Sequence, residues 1–334
     1  MKKILPIVRP KIFSYSHQCA VHAILMSYDE CNDWIFNNYI QIYCLKNLYN
    51  THRKGTLDFF YHFYGDFNFY EQYSNPWLLM NRISRQNVLS KWNNEINYIN
   101  ECIFNEEYVF AVINKQYVLK QDRAFYHPVL VYGIDEENEI LYCADNDSLG
   151  KYNLMEITFN DYLKGCDIPV IEDYYDKRPE GICSFKVRKK KDDIDSYKFY
   201  IDKVIIDFNS YINPVASNEF AHVYGVDCYD ELCKYYALVM NNLEYCDLRA
   251  ISSLLDHKIL MIERFKYMKK HNYLLNNVDN LIDGSEQIMN LVNSSQKLII
   301  KYNITKDKNI IEHVINVLKN TCVQEINLLK NISL

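Results

Sequence analysis

Cys19, His127 and Asp145 are the residue types from which a thiol nucleophile is assembled. A cysteine in the first turn of a helix is favoured as thiolate, because the unpaired backbone N–H groups and the helix dipole stabilise negative charge there. A histidine takes and returns the proton, and a carboxylate fixes the imidazole tautomer. Ser14 or Ser16 can cap a helix that then carries Cys19, Ala20, Ala23, Ile24 and Ser27. His127 stands at the start of one apolar run, and Asp145 at the end of the next, in Ala144-Asp145-Asn146-Asp147. Paired as a hairpin, the start of one strand lies beside the end of the other, which makes His127 and Asp145 cross-strand neighbours. Asn146 and Asp147 are alternative orienting groups, and His22, about one helical turn from Cys19, is a fallback base. Taken singly, each has a plainer reading. A cysteine is most often a small buried hydrophobe, and polar residues at strand ends commonly serve turns.

The elements that must position these groups are legible as patterns. Apolar runs at 108–113, 126–133 and 139–144 read as strands, and 181–187 as a fourth. The polar stretch Asp135-Glu136-Glu137-Asn138 joins the second and third as a hairpin. Pro128 inside the second implies an edge position or a strand start. Asp33 opens a second helix through Trp34, Ile35, Tyr39 and Ile42, and 81–104 reads as another. Helical periodicity then dominates, at 227–245, 247–270, 283–302 and 308–329. The change falls at Arg188-Lys189-Lys190-Lys191-Asp192-Asp193. This predicts an α+β protein of two domains, a mixed one over 1–190 and an all-helical one over 191–334.

Composition narrows the function. At 334 residues the chain exceeds the usual single domain of ~100–200 residues. It carries 37 Lys and Arg against 43 Asp and Glu, a net −6, which opposes a nucleic-acid binder built on a basic excess. Only 8 glycines are present, and neither G-x-G-x-x-G nor G-x-x-x-x-G-K-[ST] occurs, so dinucleotide and P-loop readings lose their support. No run approaches the ~18 apolar residues of a membrane span, and the apolar start is broken by Pro6 and Arg9. A cytoplasmic location follows as an expectation, and with it 11 cysteines held as thiols. No two Cys/His pairs stand at zinc-site spacing, so no metal is expected.

Two segments resemble a known family. Ser16-His17-Gln18-Cys19-Ala20 precedes a helix, and His127-Pro128-Val129-Leu130-Val131-Tyr132-Gly133-Ile134-Asp135 is followed by Ile140-Leu141-Tyr142-Cys143-Ala144-Asp145. Nucleophile helix, then a histidine strand ending in Tyr-Gly, then a strand ending in Asp, resembles papain-like cysteine enzymes. The branch in question includes the butirosin biosynthesis protein H family. Asp247-Leu248-Arg249 and Leu255-Asp256-His257-Lys258 look like the helical half of those proteins.

The resemblance implies a papain-like fold in the first domain and acyl transfer in natural-product biosynthesis. An acyl or peptidyl group leaves a carrier-protein thioester, resides on Cys19, and is captured by a small amine as an amide. His127 is the general acid/base and Asp145 the orienting carboxylate. The phosphopantetheine belongs to the donor, and no further cofactor is implied. The position where papain-like enzymes carry an oxyanion-hole glutamine holds Phe13. The hole would need the Cys19 backbone N–H and a second donor such as Gln18, His17 or Ser14. A cysteine peptidase or amidase uses the same steps with water as acceptor, and a catalytically inactive papain-fold binding protein is the third reading. Tyr61, Phe63, Tyr64, Phe67, Phe69, Tyr70 and Tyr73 could wall an acyl pocket, and Arg188–Lys191 could dock an acidic carrier.

Overall fold

The structure is a computed structural model that describes residues 1–46, 57–60, 75–147, 151–167, 181–188, 198–215, 222–242, 245–273, 277–330 and 332. In chain order its strands are β1 (Lys2–Ile4), β2 (Gln41–Leu45), β3 (Leu57–Phe60), β4 (Leu78–Ser84), β5 (Glu107–Asn114), β6 (Tyr126–Asp135), β7 (Ile140–Asn146), β8 (Tyr152–Thr158), β9 (Gly181–Val187) and β10 (His222–Tyr224). Its helices are α1 (Ser16–Leu25), α2 (Asn32–Asn37), α3 (Arg85–Trp92), α4 (Glu95–Phe104), α5 (Gln116–Leu119), α6 (Phe159–Cys166), α7 (Ile201–Ile212), α8 (Cys228–Asn242), α9 (Arg249–Lys270), α10 (Val278–Thr305) and α11 (Lys308–Leu329). The chain forms two compact units, Met1–Asn32 with Gly65–Ser196, and Asp33–Tyr64 with Tyr197–Leu334. Residues 33–64 thus cluster with the C-terminal unit, whereas the division expected from the sequence, 1–190 and 191–334, places them in the first domain. The aromatic stretch 61–73 and residues 189–193 of the basic run lie outside the described residues.

The first unit is built on an antiparallel sheet in the order β4-β9-β5-β6-β7-β8, with β1 also pairing β6 beyond the start of β5. The central strands are rich in Val, Ile and aromatic residues and buried on both faces, as Tyr108, Val109, Ala111 and Ile113 of β5 show. Helix α1 packs on β6 and β7, while α4 and α6 pack on β5. The β6–β7 hairpin turns at Asp135, whose carboxylate accepts from the Asn138 backbone N–H at 3.2 Å and side-chain amide at 3.0 Å. The register slips between Val131 and Gly133, a bulge at Tyr132. Glycine suits position 133 because β1 passes so close that a Cβ would lie 3.0 Å from the Lys3 carbonyl oxygen, tight enough that β1 would have to shift. Pro128 sits near the start of β6, opposite Val112 and ahead of Leu130, the first residue paired with β7.

The expected helix over 81–104 is instead a strand and two helices. Asn81 lies in β4, Ser84 caps α3 by accepting from the Asn87 N–H at 3.2 Å, and Asn94 caps α4 through the Asn97 N–H at 2.9 Å. Between them Asn93 adopts φ 67°, which breaks the helix. The expected second helix also ends early. Beyond Asn37 the chain turns through Tyr39 at φ 57°, and Ile42 lies in β2. The last carbonyls of α2 are taken by the fully buried Arg264, whose Nε donates to Phe36 O at 2.9 Å and Nη2 to Asn38 O at 2.5 Å.

Among the described residues from 198 onward the regular elements are helices apart from the short β10, which joins β2 and β3 in a three-stranded antiparallel sheet of the second unit. In α10 the buried residues Leu281, Ser285, Ile288, Val292, Ser295 and Ile299 repeat alternately every three and four positions and pack against α11. Among the described residues no helix is long and apolar enough to cross a membrane.

Candidate catalytic site

The antiparallel sheet brings the end of β5, the start of β6, the end of β7 and the start of β8 to one of its ends. The register Leu130↔Ala144 sets Asp145 diagonally across from His127. Their side chains meet: His127 Nδ1 and Asp145 Oδ2 are 2.7 Å apart. A carboxylate only accepts, so Nδ1 carries the proton and, in the neutral ring, Nε2 is left as acceptor. Phe125 stacks on the imidazole, with ring centroids 5.1 Å apart at 17°, and fixes its plane.

Lys115, just after β5, was not singled out by its sequence. It is fully buried, and its ammonium donates to Asp145 Oδ2 and to Asn146 O, each at 2.8 Å. The Lys115 N–H also bonds Phe125 O at 2.7 Å, and Asn114 Oδ1 accepts from the N–H groups of Gln116 at 3.1 Å and Phe125 at 3.0 Å. These bonds close the loop between β5 and β6 around the ammonium. A single carboxylate oxygen thus serves a lysine on one side and the histidine on the other. The only sequence signal was a lysine directly after an apolar strand.

The first turn of α1 completes the group. Tyr108 Oη donates to Pro6 O at 2.6 Å, the Val8 N–H to Ala23 O at 3.0 Å, and Asn146 Nδ2 to Phe13 O at 2.7 Å. Together these hold the segment that leads into the helix. The N-cap is Tyr15, without a side-chain cap, rather than Ser14 or Ser16. Ser16 instead turns its hydroxyl to His127, with Oγ 3.4 Å from Nε2. Cys19 is 1% exposed, and its Sγ lies 4.0 Å from Asn146 Oδ1. Its backbone N–H donates to Tyr15 O at 2.9 Å as an ordinary helical bond, so it is committed within the helix.

The structure therefore joins His127 to Asp145 and sets Ser16 against His127, with Cys19 packed against Asn146. Of the support candidates, Gln18 is buried in α1, and the His17 ring lies 5.8 Å from that of Tyr15. Burial pushes the His22 imidazole down to about 3, which leaves it neutral near pH 7 and a poor general base. Asp147 is tied to the start of β8: it accepts from the Lys151 N–H and from Asn153 Nδ2, each at 2.9 Å. Asp247 holds Arg249, with Oδ2 2.9 Å from its Nε, and His257 donates to Ile40 O at 2.7 Å while accepting from Lys258 at Nδ1.

A hydroxyl or thiol in the first turn of α1, an imidazole with its acceptor nitrogen turned toward that turn, and a buried carboxylate behind it can generate a nucleophile and carry its proton. No family model matches the chain, and no curated protein matches it.

Proposed function

We propose that the first unit is a papain-like acyl-transfer domain, in which Cys19 takes an acyl or peptidyl group from a carrier-protein thioester and passes it to a small amine as an amide. The observation that carries this reading is His127, tied through Nδ1 to Asp145 while Nε2 faces the turn that holds Ser16 and Cys19. In the reaction His127 removes the thiol proton, the sulfur attacks the thioester carbonyl, and the departing pantetheine thiolate takes that proton back. The amine then attacks the acyl-enzyme, giving up its proton to His127, and Cys19 leaves as thiol. The first transfer exchanges one thioester for another, and aminolysis is downhill. Exclusion of water during the second step separates a transferase from a hydrolase, and the deep burial of Cys19 supports that choice.

One observation favours a second reading. The Ser16 hydroxyl also lies within reach of Nε2, at 3.4 Å, which would give a serine nucleophile in the same acyl chemistry. Intact-protein mass after brief exposure to acyl N-acetylcysteamine thioesters separates the two. The proposal expects an adduct on the wild type and on Ser16→Ala, none on Cys19→Ala, and faster discharge by amines than by water. An adduct lost in Ser16→Ala and kept in Cys19→Ala assigns the serine. Release of the acyl group to water alone makes the protein a hydrolase.

A further inference from the structure

Acyl transfer needs a donor for the oxygen that becomes negative when the carbonyl is attacked. Two obvious sources are closed here. Phe13 stands where papain-like enzymes place a glutamine, and the Cys19 backbone N–H is used within α1. Asn146 spends an amide hydrogen on Phe13 O. One buried hydroxyl nearby is uncommitted. Tyr152, the first residue of β8, is 4% exposed, and its Oη has no hydrogen-bond partner among the described residues. Leaving a buried hydroxyl unsatisfied costs about 1–3 kcal/mol, so such a group calls for an explanation.

Its surroundings supply one. Tyr152 pairs directly with Asn146 in the β7–β8 ladder, and opposed residues share a face of the sheet. Asn146 is the residue whose Oδ1 faces the Cys19 sulfur. The Tyr152 ring meets Phe13 edge-on, with centroids 6.4 Å apart. Burial first, and then repulsion from the ionised forms of Cys19, Tyr132 and Asp145, pushes its pKa up, with Arg9 acting the other way. The phenol thus remains a donor throughout the working pH range.

We infer that the Tyr152 hydroxyl is the oxyanion donor of this site, taking the part of the glutamine that Phe13 replaces. The inference rests on the acyl-transfer reading above. When the Cys19 thiolate adds to the carbonyl carbon, the carbon–oxygen π pair moves onto oxygen and Tyr152 Oη–H donates to it. The pair returns as the donor's thiolate leaves with the proton held by His127. Phe13 then acts as a positioning residue that sets the phenol ring.

The test compares Tyr152→Phe with wild type in two reactions of one thiol, read on the peptide containing Cys19. Acetylation by S-acetyl-N-acetylcysteamine passes through an oxyanion, whereas alkylation by iodoacetamide displaces iodide and does not. The expected result is acetylation slowed about 10²–10³-fold, with alkylation unchanged. Unchanged alkylation also reports that the site is still folded. Equal acetylation of variant and wild type overturns the assignment, as does equal slowing of both reactions, which marks a structural role. A wild type that takes no acetyl group on Cys19 sinks the acyl-transfer reading itself, and the tyrosine's role with it.

Discussion

Lys115→Met tests whether the buried lysine is what keeps the Asp145 carboxylate in place. Both side chains are essentially inaccessible, at 0% and 2%, and Nζ lies 2.8 Å from Oδ2. At that separation and an effective dielectric of ~20, the gross attraction is about 6 kcal/mol. Part of it offsets the desolvation of the ammonium, which the substitution relieves. What remains is a buried carboxylate with one partner fewer and an Asn146 carbonyl that has lost its donor. Breaking buried pairs in this way costs about 3–5 kcal/mol. His127 still holds the same carboxylate oxygen, at 2.7 Å, so the low end applies, about 3 kcal/mol.

Urea unfolding followed by tryptophan fluorescence measures this cost. Trp77 and Trp92 belong to the first unit and Trp34 to the second, so a Trp34→Phe background makes the signal specific to the first. With a slope near 2 kcal/mol/M, 3 kcal/mol moves the midpoint by about 1.5 M. Adding Asp145→Leu to Lys115→Met should recover part of that loss, because the penalty lies in the stranded charge rather than in the missing methylenes. A Lys115→Met midpoint within about 0.3 M of the parent, or a double variant weaker than the sum of the singles, would refute the charge-balance account.

Other perturbations probe the remaining interactions. Asp145→Asn keeps the shape of the orienting group but can present its amide to Nδ1, which favours the wrong tautomer, and acyl-enzyme formation should fall by about 10⁴-fold with folding retained. Stopped-flow mass measurements on wild type and variant check it, and a loss below tenfold on this scale removes Asp145 from the proton relay. His22 stays neutral when folded, down to about pH 3, whereas the unfolded chain protonates it near 6.5. Its stabilising share is therefore complete above pH 6.5 and is lost as pH falls toward 3, at about 1.4 kcal/mol per pH unit. His22→Leu should flatten that slope for the first unit, and an unchanged slope between pH 6 and 4 would place the acid sensitivity elsewhere. In the second unit Glu325→Leu leaves the Lys258 ammonium, which sits 2.6 and 2.7 Å from the two carboxylate oxygens, buried without its anion. A loss of about 3–5 kcal/mol is expected in thermal unfolding, and a loss under about 1 kcal/mol would show that the Tyr211 hydroxyl and His257 Nδ1, each 3.0 Å from the ammonium, suffice.

The strands of the site were legible because burial on both faces leaves continuous apolar runs. The run at 181–187 coincides with β9, and the Asp135–Asn138 turn has the side-chain-to-backbone bonds its residues suggest. Helix α11 coincides with the periodicity at 308–329. What misled were segments whose apolar spacing suits more than one element. Ile42 falls at helical spacing from Trp34 and Ile35, yet Tyr39 turns left-handed and β2 pairs with β3 and β10, partners distant in sequence. Pairing of that kind leaves no local trace, so the allocation of 33–64 to the second unit was equally invisible. At the site, the His127–Asp145 contact was readable from hairpin logic alone. Lys115 was not, because its role depends on a third strand ending beside the same carboxylate. Nor was the position of Ser16, which reads as a cap by composition but spends its hydroxyl on an imidazole.

These contacts share one geometric cause. In an antiparallel sheet, alternate strands end and begin at the same edge, so loop-proximal residues scattered over the sequence are gathered there without any local motif. Lys115, His127, Asp145, Asn146 and Tyr152 come from four strands in this way, and α1 supplies its first turn through Asn146 and Phe13 O. Burying an ammonium, a carboxylate and an imidazole together is costly unless each meets a partner, and here one oxygen meets two of them. A framework held only for stability could fill the same volume with apolar side chains at no loss. The imidazole, at 28% exposure against 2% for the carboxylate, is the member of the group that a reacting molecule could reach. That asymmetry, a sealed ion pair behind a partly open base, is the arrangement that the proposed proton transfer calls for.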